Sequence, residues 1–213
     1  MVNTDYTAVM LLVDRSGSMA AIRTAAEDGI NEFINSLKHT EGKRTIRIAQ
    51  FDYDYDGMCY VTVCPSMEPS AVPEFSLIPR GGTPLLDAMG KSIIEFGNEL
   101  AALPENQRPG VVVFAIMTDG LENSSREFTW EQIKGMVQHQ EADYGWQVVY
   151  LGANQDAFEI GERLGVPRCN TMTYAATDYG TRSATQSLTS YVAAAASGQQ
   201  AVFTDAQRED AIK

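Results

Sequence analysis

Short apolar runs alternate with helix-like segments along this chain, and that alternation limits the folds it can adopt more than any other feature. The runs Ala8–Val13 and Val111–Met117 are apolar throughout, which is typical of strands that a sheet buries on both faces. From Ser18 to Leu37, apolar residues recur at helical spacing. This order predicts an α/β fold with a mostly parallel sheet and helices on both faces.

A hairpin interrupts the parallel pattern once. Residues Arg44–Phe51 alternate in polarity, which suggests a strand exposed on one face or along an edge. Asp56-Gly57 predicts a tight turn into a strand over Met58–Val63, so this pair should be antiparallel. The proline-dotted stretch Pro65–Pro79 predicts a crossover loop.

The remaining segments continue the alternation. We expect helices over Thr83–Leu103, Thr129–Gln140 and Asp156–Leu164, strands over Gln147–Leu151 and Arg168–Thr173, and an alanine-rich last helix that includes Leu188–Ala196. The predicted fold is Rossmann-like and doubly wound: a six-stranded sheet of order 3-2-1-4-5-6 with one antiparallel edge strand. The length of 213 residues suits one domain over residues 1–200 and a C-terminal tail over 201–213. The capping-box pattern Thr204–Gln207 predicts a short helix in that tail.

Charge and cysteine content exclude several functions. The net charge of −12 disfavours nucleic acid and anionic membranes as partners. No apolar run is long enough to span a bilayer, and the first residues lack the features of a signal peptide.

The cysteine pattern is not that of a disulfide framework, since the chain has three cysteines at unrelated spacings, Cys59, Cys64 and Cys169. Cys59 and Cys64 could pair across a bend, but the reduced state is favoured. These observations predict a cytoplasmic protein. With His39 and His139 as the only histidines, a zinc site is not expected.

Three oxygen-rich loops follow or connect the central strands. Asp14–Ser18 follows the first strand, Thr118–Gly120 follows the other fully apolar strand, and Arg80–Thr83 leads into the helix between them. Ligands of doubly wound sheets bind beyond the carboxyl ends of the strands, where the strand order reverses. We therefore expect the three loops to converge in one crevice.

The residues of these loops resemble a known metal site, the metal-ion-dependent adhesion site of von Willebrand factor A (vWA) and integrin I domains. The matching residues are Asp14, Ser16, Ser18, Thr83 and Asp119. The resemblance covers roughly residues 5–175. Gly82–Ala88, Thr118–Ser125 and Leu151–Asn154 are most similar to stand-alone bacterial or phage vWA proteins, such as the tellurite-resistance-associated group.

The resemblance implies the vWA fold. It also implies one divalent cation, which should be Mg²⁺, with Mn²⁺ or Ca²⁺ as alternatives, because the five side chains offer only oxygen. Ser16, Ser18 and Thr83 would coordinate directly, and Asp14 and Asp119 largely through water or hydrogen bonds. An open position would accept an Asp or Glu from a partner protein, so the implied function is cation-dependent protein binding without catalysis. The predicted rim residues are Arg15, Met19, Arg80, Glu122 and Asn123. In adhesion members of the family the last helix moves on binding, which makes residues 177–196 a candidate for such movement.

Individual motifs also have other interpretations. Ser18 and Thr83 each occupy an N-cap position of a predicted helix, so we expect both to stabilise helices as well as bind the ion. Asp52–Gly57 imitates the start of an EF-hand loop, but Val63 stands where a bidentate Glu is required. A solvated acidic hairpin is the preferred interpretation there.

The alternative function is a Mg²⁺-dependent phosphatase or other hydrolase on a Rossmann-like sheet. Asp14 would be the nucleophile and Asp119 a metal ligand. However, Ser16 occupies the position where a haloacid dehalogenase pattern has a second Asp, and no lysine or histidine lies near these loops. The binding function is therefore preferred.

Overall fold

The computed structural model describes residues 1–154 and 156–213. In this part of the chain the strands are β1 (Asn3–Asp14), β2 (Lys43–Asp54), β3 (Gly57–Met67), β4 (Pro109–Thr118), β5 (Gln147–Ala153) and β6 (Thr171–Tyr174). The α-helices are α1 (Arg23–Leu37), α2 (Leu85–Ala101), α3 (Trp130–Tyr144), α4 (Ala157–Leu164), α5 (Asp178–Ala196) and α6 (Asp205–Ala211). The strands form one sheet in the order β3-β2-β1-β4-β5-β6. All neighbours pair in parallel except β2 and β3, which confirms the predicted order and the antiparallel edge strand.

The sheet separates two apolar cores because side chains along each strand alternate between its faces. In β1, Val9, Leu11 and Val13 pack into the core beneath α1 and α5. Ala8, Met10 and Leu12 pack into the core beneath α2, α3 and α4. This alternation explains why β1 is apolar throughout and why its carboxyl end lies at the centre of the molecule.

Several predicted boundaries were wrong. Strand β3 continues through Pro65 to Met67, because an edge strand tolerates a residue without an N–H. Strand β2 is mostly buried between β1 and β3 rather than exposed. Helix α5 begins ten residues before Leu188, where the Thr177 side chain accepts a hydrogen bond from the Gly180 amide. Its first half is rich in Ser and Thr and packs closely on α1, so it lacks the expected apolar periodicity.

The C-terminal tail packs against the sheet. Thr204 and Gln207 form the predicted capping box at the start of α6. Phe203 and Ala211 are buried, and the Ala175 amide donates to the Ala211 carbonyl at 2.8 Å. The structure therefore joins α6 to the core beneath α5. Among the described helices, none is long and apolar enough to cross a membrane.

Candidate metal centre

The five predicted site residues meet at the carboxyl ends of β1 and β4, which are neighbours in the sheet. Ser16 Oγ lies 3.1 Å from Ser18 Oγ, and Ser18 Oγ donates to Asp119 Oδ1 at 2.7 Å. We call residues 14–18 the first loop, residues 80–83 the second loop and residues 119–128, which follow β4, the third loop. The first and third loops are thus in direct contact, as the topology predicted.

Thr83, from the second loop, completes the cluster beside Gly120. A β-carbon at Gly120 would lie 2.7 Å from Thr83 Oγ1, 3.5 Å from Asp14 Oδ2 and 3.6 Å from Ser16 Oγ. The side-chain oxygen atoms of Thr83, Asp14 and Ser16 therefore face one small space beside Gly120. A larger residue at Gly120 would fill that space, so the glycine is needed to keep it open.

Backbone contacts hold the first two loops together and attach them to the end of β2. The Arg80 amide donates to the Arg15 carbonyl at 2.8 Å, and the Gly17 amide donates to the Gly81 carbonyl at 3.1 Å. Gly81 has φ of +66°, and a β-carbon there would collide with the backbone of Tyr53. Only glycine satisfies both requirements at this position.

The expectation that Ser18 and Thr83 cap helices is wrong. Ser18 lies inside a 3₁₀ turn over Gly17–Ile22, and the N-cap of α1 is Ile22. Helix α2 begins at Leu85 with Pro84 as its N-cap and no side-chain cap. Both hydroxyls face the site and are not used to satisfy helix ends.

Glu122, in the third loop, supplies the cap that α2 lacks. Its carboxylate accepts hydrogen bonds from the Leu86 amide at 3.0 Å and from the amides of Ser124 and Ser125 at 2.9 and 2.8 Å. A carboxylate here also complements the positive end of the helix dipole. Next to it, the Thr83 amide donates to Asn123 Oδ1 at 2.9 Å, which fixes the backbone of a predicted ligand.

Asp87 makes the reciprocal connection from α2 to the third loop. This residue is 2% exposed, and its carboxylate accepts hydrogen bonds from the amides of Arg126, Glu127 and Phe128 at 2.8, 2.9 and 2.9 Å. The sequence prediction placed Glu122 at the rim and gave neither carboxylate this supporting role. The only sequence indication was an acidic residue in the first turn of a helix, which is common for dipole reasons alone.

Burial makes the charge of Asp14 unfavourable. The side chain is 0% exposed, and burial raises its pKa to about 7 despite hydrogen bonds from Thr118 and Ser16. Thr118 Oγ1 donates to Asp14 Oδ2 and the Ser16 amide donates to Asp14 Oδ1, both at 2.6 Å. Burial raises the pKa of Asp119 as well. Asp14 forms no ion pair with any described residue, so two carboxylates face each other here without a protein cation.

The oxygen atoms present fit a hard divalent cation. Among residues 1–154 and 156–213, no three His, Cys, Asp or Glu side chains cluster in a way that could hold a metal. A metal centre in this part of the chain would therefore rely on hydroxyl ligands. The cysteines Cys59, Cys64 and Cys169 are free, as preferred from the sequence.

The predicted rim is only partly correct. Met19 is 0% exposed, because the 3₁₀ turn directs it into the core, so its assignment to the rim was wrong. Arg15 and Arg80 both contact Asp52, at 2.7 and 2.8 Å. Glu122 is half-buried and occupied by its backbone hydrogen bonds, whereas Asn123 is exposed.

A scan against protein-family models and a search of curated proteins each found no match. Solved structures do match. Proximal thread matrix protein 1 from the mussel byssus is 16% identical over 88% of this chain and 48% of its own, with a TM-score of 0.63. The manganese-loaded TRAP protein of Plasmodium vivax is 15% identical over 82% of this chain and 70% of its own (TM-score 0.58). The vWF domain of the type V pili tip protein Mfa5 from Porphyromonas gingivalis is 11% identical over 86% and 94% (TM-score 0.58).

These likenesses show the fold: the chain has the vWA fold, as predicted. It spans about half the length of the mussel protein. A second structure of that protein, 10% identical over 91% of this chain and 47% of its own with a TM-score of 0.59, carries a zinc-occupied metal-ion-dependent adhesion site. The predicted bacterial or phage origin and the likeness to the tellurite-resistance-associated group stay predictions.

Proposed function

We propose that this chain is a divalent-cation-dependent protein-binding module. The observation that carries the proposal is the convergence of three hydroxyls and two carboxylates from three loops, with Asp14 fully buried and without an ion-pair partner among residues 1–154 and 156–213. A buried carboxylate is costly without a positive partner. A cation in this cluster would supply that partner.

The chemistry of the donors assigns the roles. Ser16, Ser18 and Thr83 would hold the ion through their hydroxyls, and Asp14 and Asp119 would balance its charge directly or through water. Oxygen-only ligands favour Mg²⁺, with Mn²⁺ or Ca²⁺ as alternatives. Neutral hydroxyls leave much of the ion's charge uncompensated, so the bound ion would attract an Asp or Glu of a partner protein. Two structural neighbours, one loaded with manganese and one with a zinc-occupied site, support a divalent cation in general.

Calorimetry tests the metal centre. We expect wild type to bind one Mg²⁺ or Mn²⁺, and Asp14→Ala to bind neither. Asp28→Ala is the matched control, because Asp28 is a half-buried acid outside the three loops and is paired with Arg182. Equal binding by wild type and Asp14→Ala would contradict the proposal. Partner capture should then require the metal, so EDTA and Asp14→Ala should abolish the same bound proteins.

The geometry does not favour the hydrolase alternative. Arg15 and Arg80, the nearest cations in the sequence, are already held in ion pairs: both contact Asp52, and Arg80 also contacts Asp54. We propose that the module is not an enzyme. Hydrolysis of p-nitrophenyl phosphate that requires Mg²⁺ and disappears in Asp14→Asn would overturn this.

A further inference from the structure

Asp52 is a buried carboxylate at the carboxyl end of β2, beside the first and second loops. Its side chain is 0% exposed, and a buried charge is costly unless ionic or hydrogen-bonding partners offset it. Arg80 Nε donates a hydrogen bond to Asp52 Oδ2 at 2.8 Å, and Arg15 Nε lies 2.7 Å from the same oxygen. One carboxylate oxygen therefore joins an arginine of the first loop to an arginine of the second.

The partners of Asp52 differ from those of the carboxylates that support the third loop. Those carboxylates accept hydrogen bonds from backbone amides. Within residues 1–154 and 156–213, the Asp52 carboxylate pairs with Arg15 and Arg80 alone, and its Oδ1 accepts no hydrogen bond. In this part of the chain its charge is thus balanced by the two loops that it joins.

Cys59 holds the outer ends of both guanidinium groups. It lies opposite Asp52 on the neighbouring strand β3. The Nη2 atoms of Arg15 and Arg80 donate to Cys59 Sγ at 3.0 and 3.2 Å. Each arginine side chain is therefore held at two points, and neither can turn away without breaking these contacts.

The side chain of Arg15 and those of its two neighbours face different ways. Arg15 lies between Asp14 and Ser16 in the chain, and its guanidinium reaches Asp52. The side-chain oxygens of its neighbours instead face the space beside Gly120. Holding the Arg15 side chain on Asp52 therefore fixes the direction in which both neighbours point, because the three residues share one short stretch of backbone.

The backbones of the two loops are joined at the same place. The Arg80 amide donates to the Arg15 carbonyl at 2.8 Å, and the Gly17 amide donates to the Gly81 carbonyl at 3.1 Å. Thr83 follows three residues after Arg80. The two arginines thus hold together the part of the backbone from which the site hydroxyls of both loops project.

We propose that Asp52 is a positioning residue, which holds the first and second loops in the register at which the hydroxyls of Ser16 and Thr83 face one space. Its effect on metal affinity rests on the function proposed above, whereas its effect on the loops does not. Buried ion pairs contribute little net stability, because the cost of desolvation offsets their attraction. The fixed position of the two loops is therefore the main effect of this cluster.

Two variants with opposite changes of charge test the proposal by calorimetry with Mn²⁺. Asp52→Asn removes a negative charge beside the candidate metal centre, and Arg80→Met removes a positive one. If the cluster acted only through its charge, the first variant would bind Mn²⁺ more weakly and the second more tightly. A positioning role predicts that both bind Mn²⁺ more weakly, by about tenfold or more. Arg80→Lys should recover part of the affinity, because its ammonium can still reach Asp52.

Hydrogen exchange measures the loop contact without metal. The Gly17 amide, which bonds the first loop to the second, should exchange about tenfold faster in Asp52→Asn and in Arg80→Met than in wild type. Arg47→Gln is the matched control, because it breaks two ion pairs between the same strand and the second half of α2. It should leave both the Gly17 exchange rate and the Mn²⁺ affinity unchanged.

Circular dichroism melting verifies that each variant folds. The Arg80 side chain is 45% exposed, so Arg80→Met provides both measurements if Asp52→Asn does not fold. Tighter Mn²⁺ binding by Arg80→Met than by wild type would overturn the proposal, as would an unchanged Gly17 exchange rate in the variants. Failure of wild type to bind Mn²⁺ would contradict the function proposed above, and the exchange rates would then decide whether Asp52 holds the loops.

Discussion

Asp87 should control both the stability of the third metal loop and the affinity of the candidate metal centre. Its carboxylate accepts three backbone hydrogen bonds, at 2.8, 2.9 and 2.9 Å. In Asp87→Ala these amides lose their partner. Arg126 and Glu127 are exposed, so water can solvate part of what is lost, and about 1 kcal/mol for each bond is a reasonable magnitude. We expect Asp87→Ala to lower the free energy of unfolding by about 3 kcal/mol.

Asp87→Asn separates the two effects. Its carbonyl oxygen can keep the two bonds that Oδ1 now accepts, from Glu127 and Phe128, while the bond from Arg126 to Oδ2 is lost. The expected cost is about 1 kcal/mol. Metal affinity should fall strongly in Asp87→Ala, because the loop that carries Asp119 and Asn123 is released, and only slightly in Asp87→Asn.

Urea denaturation measures the stability, and calorimetry with Mn²⁺ measures the metal affinity. Asp156→Ala is the control: Asp156 caps α4 by accepting from the amides of Phe158 and Glu159, and losing such a cap costs about 1 kcal/mol. It should destabilise the fold without changing metal affinity. The reasoning fails if Asp87→Ala costs less than about 1 kcal/mol, or if it and Asp156→Ala bind metal equally well.

Three further predictions concern single side chains. Ser18→Ala should change the free energy of unfolding by no more than about 0.5 kcal/mol, because Ser18 caps no helix. The same variant should bind Mn²⁺ more weakly in the calorimetric assay, and unchanged Mn²⁺ binding would contradict this prediction. Glu141 is half-buried, and burial raises its pKa from 4.5 to about 7. The folded state therefore favours the neutral form of Glu141, and wild type should lose stability relative to Glu141→Gln as the pH rises from 4.5 to 7. The expected loss is about 1–2 kcal/mol after allowance for partial exposure. A difference in the free energy of unfolding between the two proteins that stays constant in urea titrations from about pH 4 to 8 would refute this. Gly97 and Gly135 lie inside helices α2 and α3, and a β-carbon at either would meet no heavy atom within 4 Å. Gly97→Ala and Gly135→Ala should therefore each stabilise the protein by about 1 kcal/mol. A lower melting temperature for either variant would show a packing role not evident in the fold.

The sheet was predictable because its determinants are local in sequence. Ala8–Val13 and Val111–Met117 are apolar at every position, which only a doubly covered strand requires. Their burial places them centrally, and the residues directly after them then fall into the switch-point crevice. The positions of Asp14 and Asp119 follow from that reasoning alone.

The supports of the site were not predictable in the same way. Glu122 and Asp87 bind amides 36 to 41 residues away in sequence, and no local pattern indicates such a pairing. The N-cap assignment of Thr83 failed for a related reason. The Glu122 carboxylate accepts from the Leu86 amide and the Ser125 hydroxyl accepts from the Asp87 amide, so the local hydroxyl is not needed there. Met19 was assigned to the rim because a 3₁₀ turn, whose side-chain directions differ from those of an α-helix, was not anticipated.

The second loop connects the whole site. On one side, Gly81 and Gly82 contact the backbones of the first loop and of β2. On the other, Thr83 and the start of α2 are bonded to Asn123 and Glu122 of the third loop. A displacement of α2 along its axis would therefore move Thr83 and pull on the third loop, whereas the first loop is also anchored to β2, where the Arg15 amide donates to the Phe51 carbonyl. The positions of Thr83 and of the third loop therefore both depend on where the amino end of α2 lies.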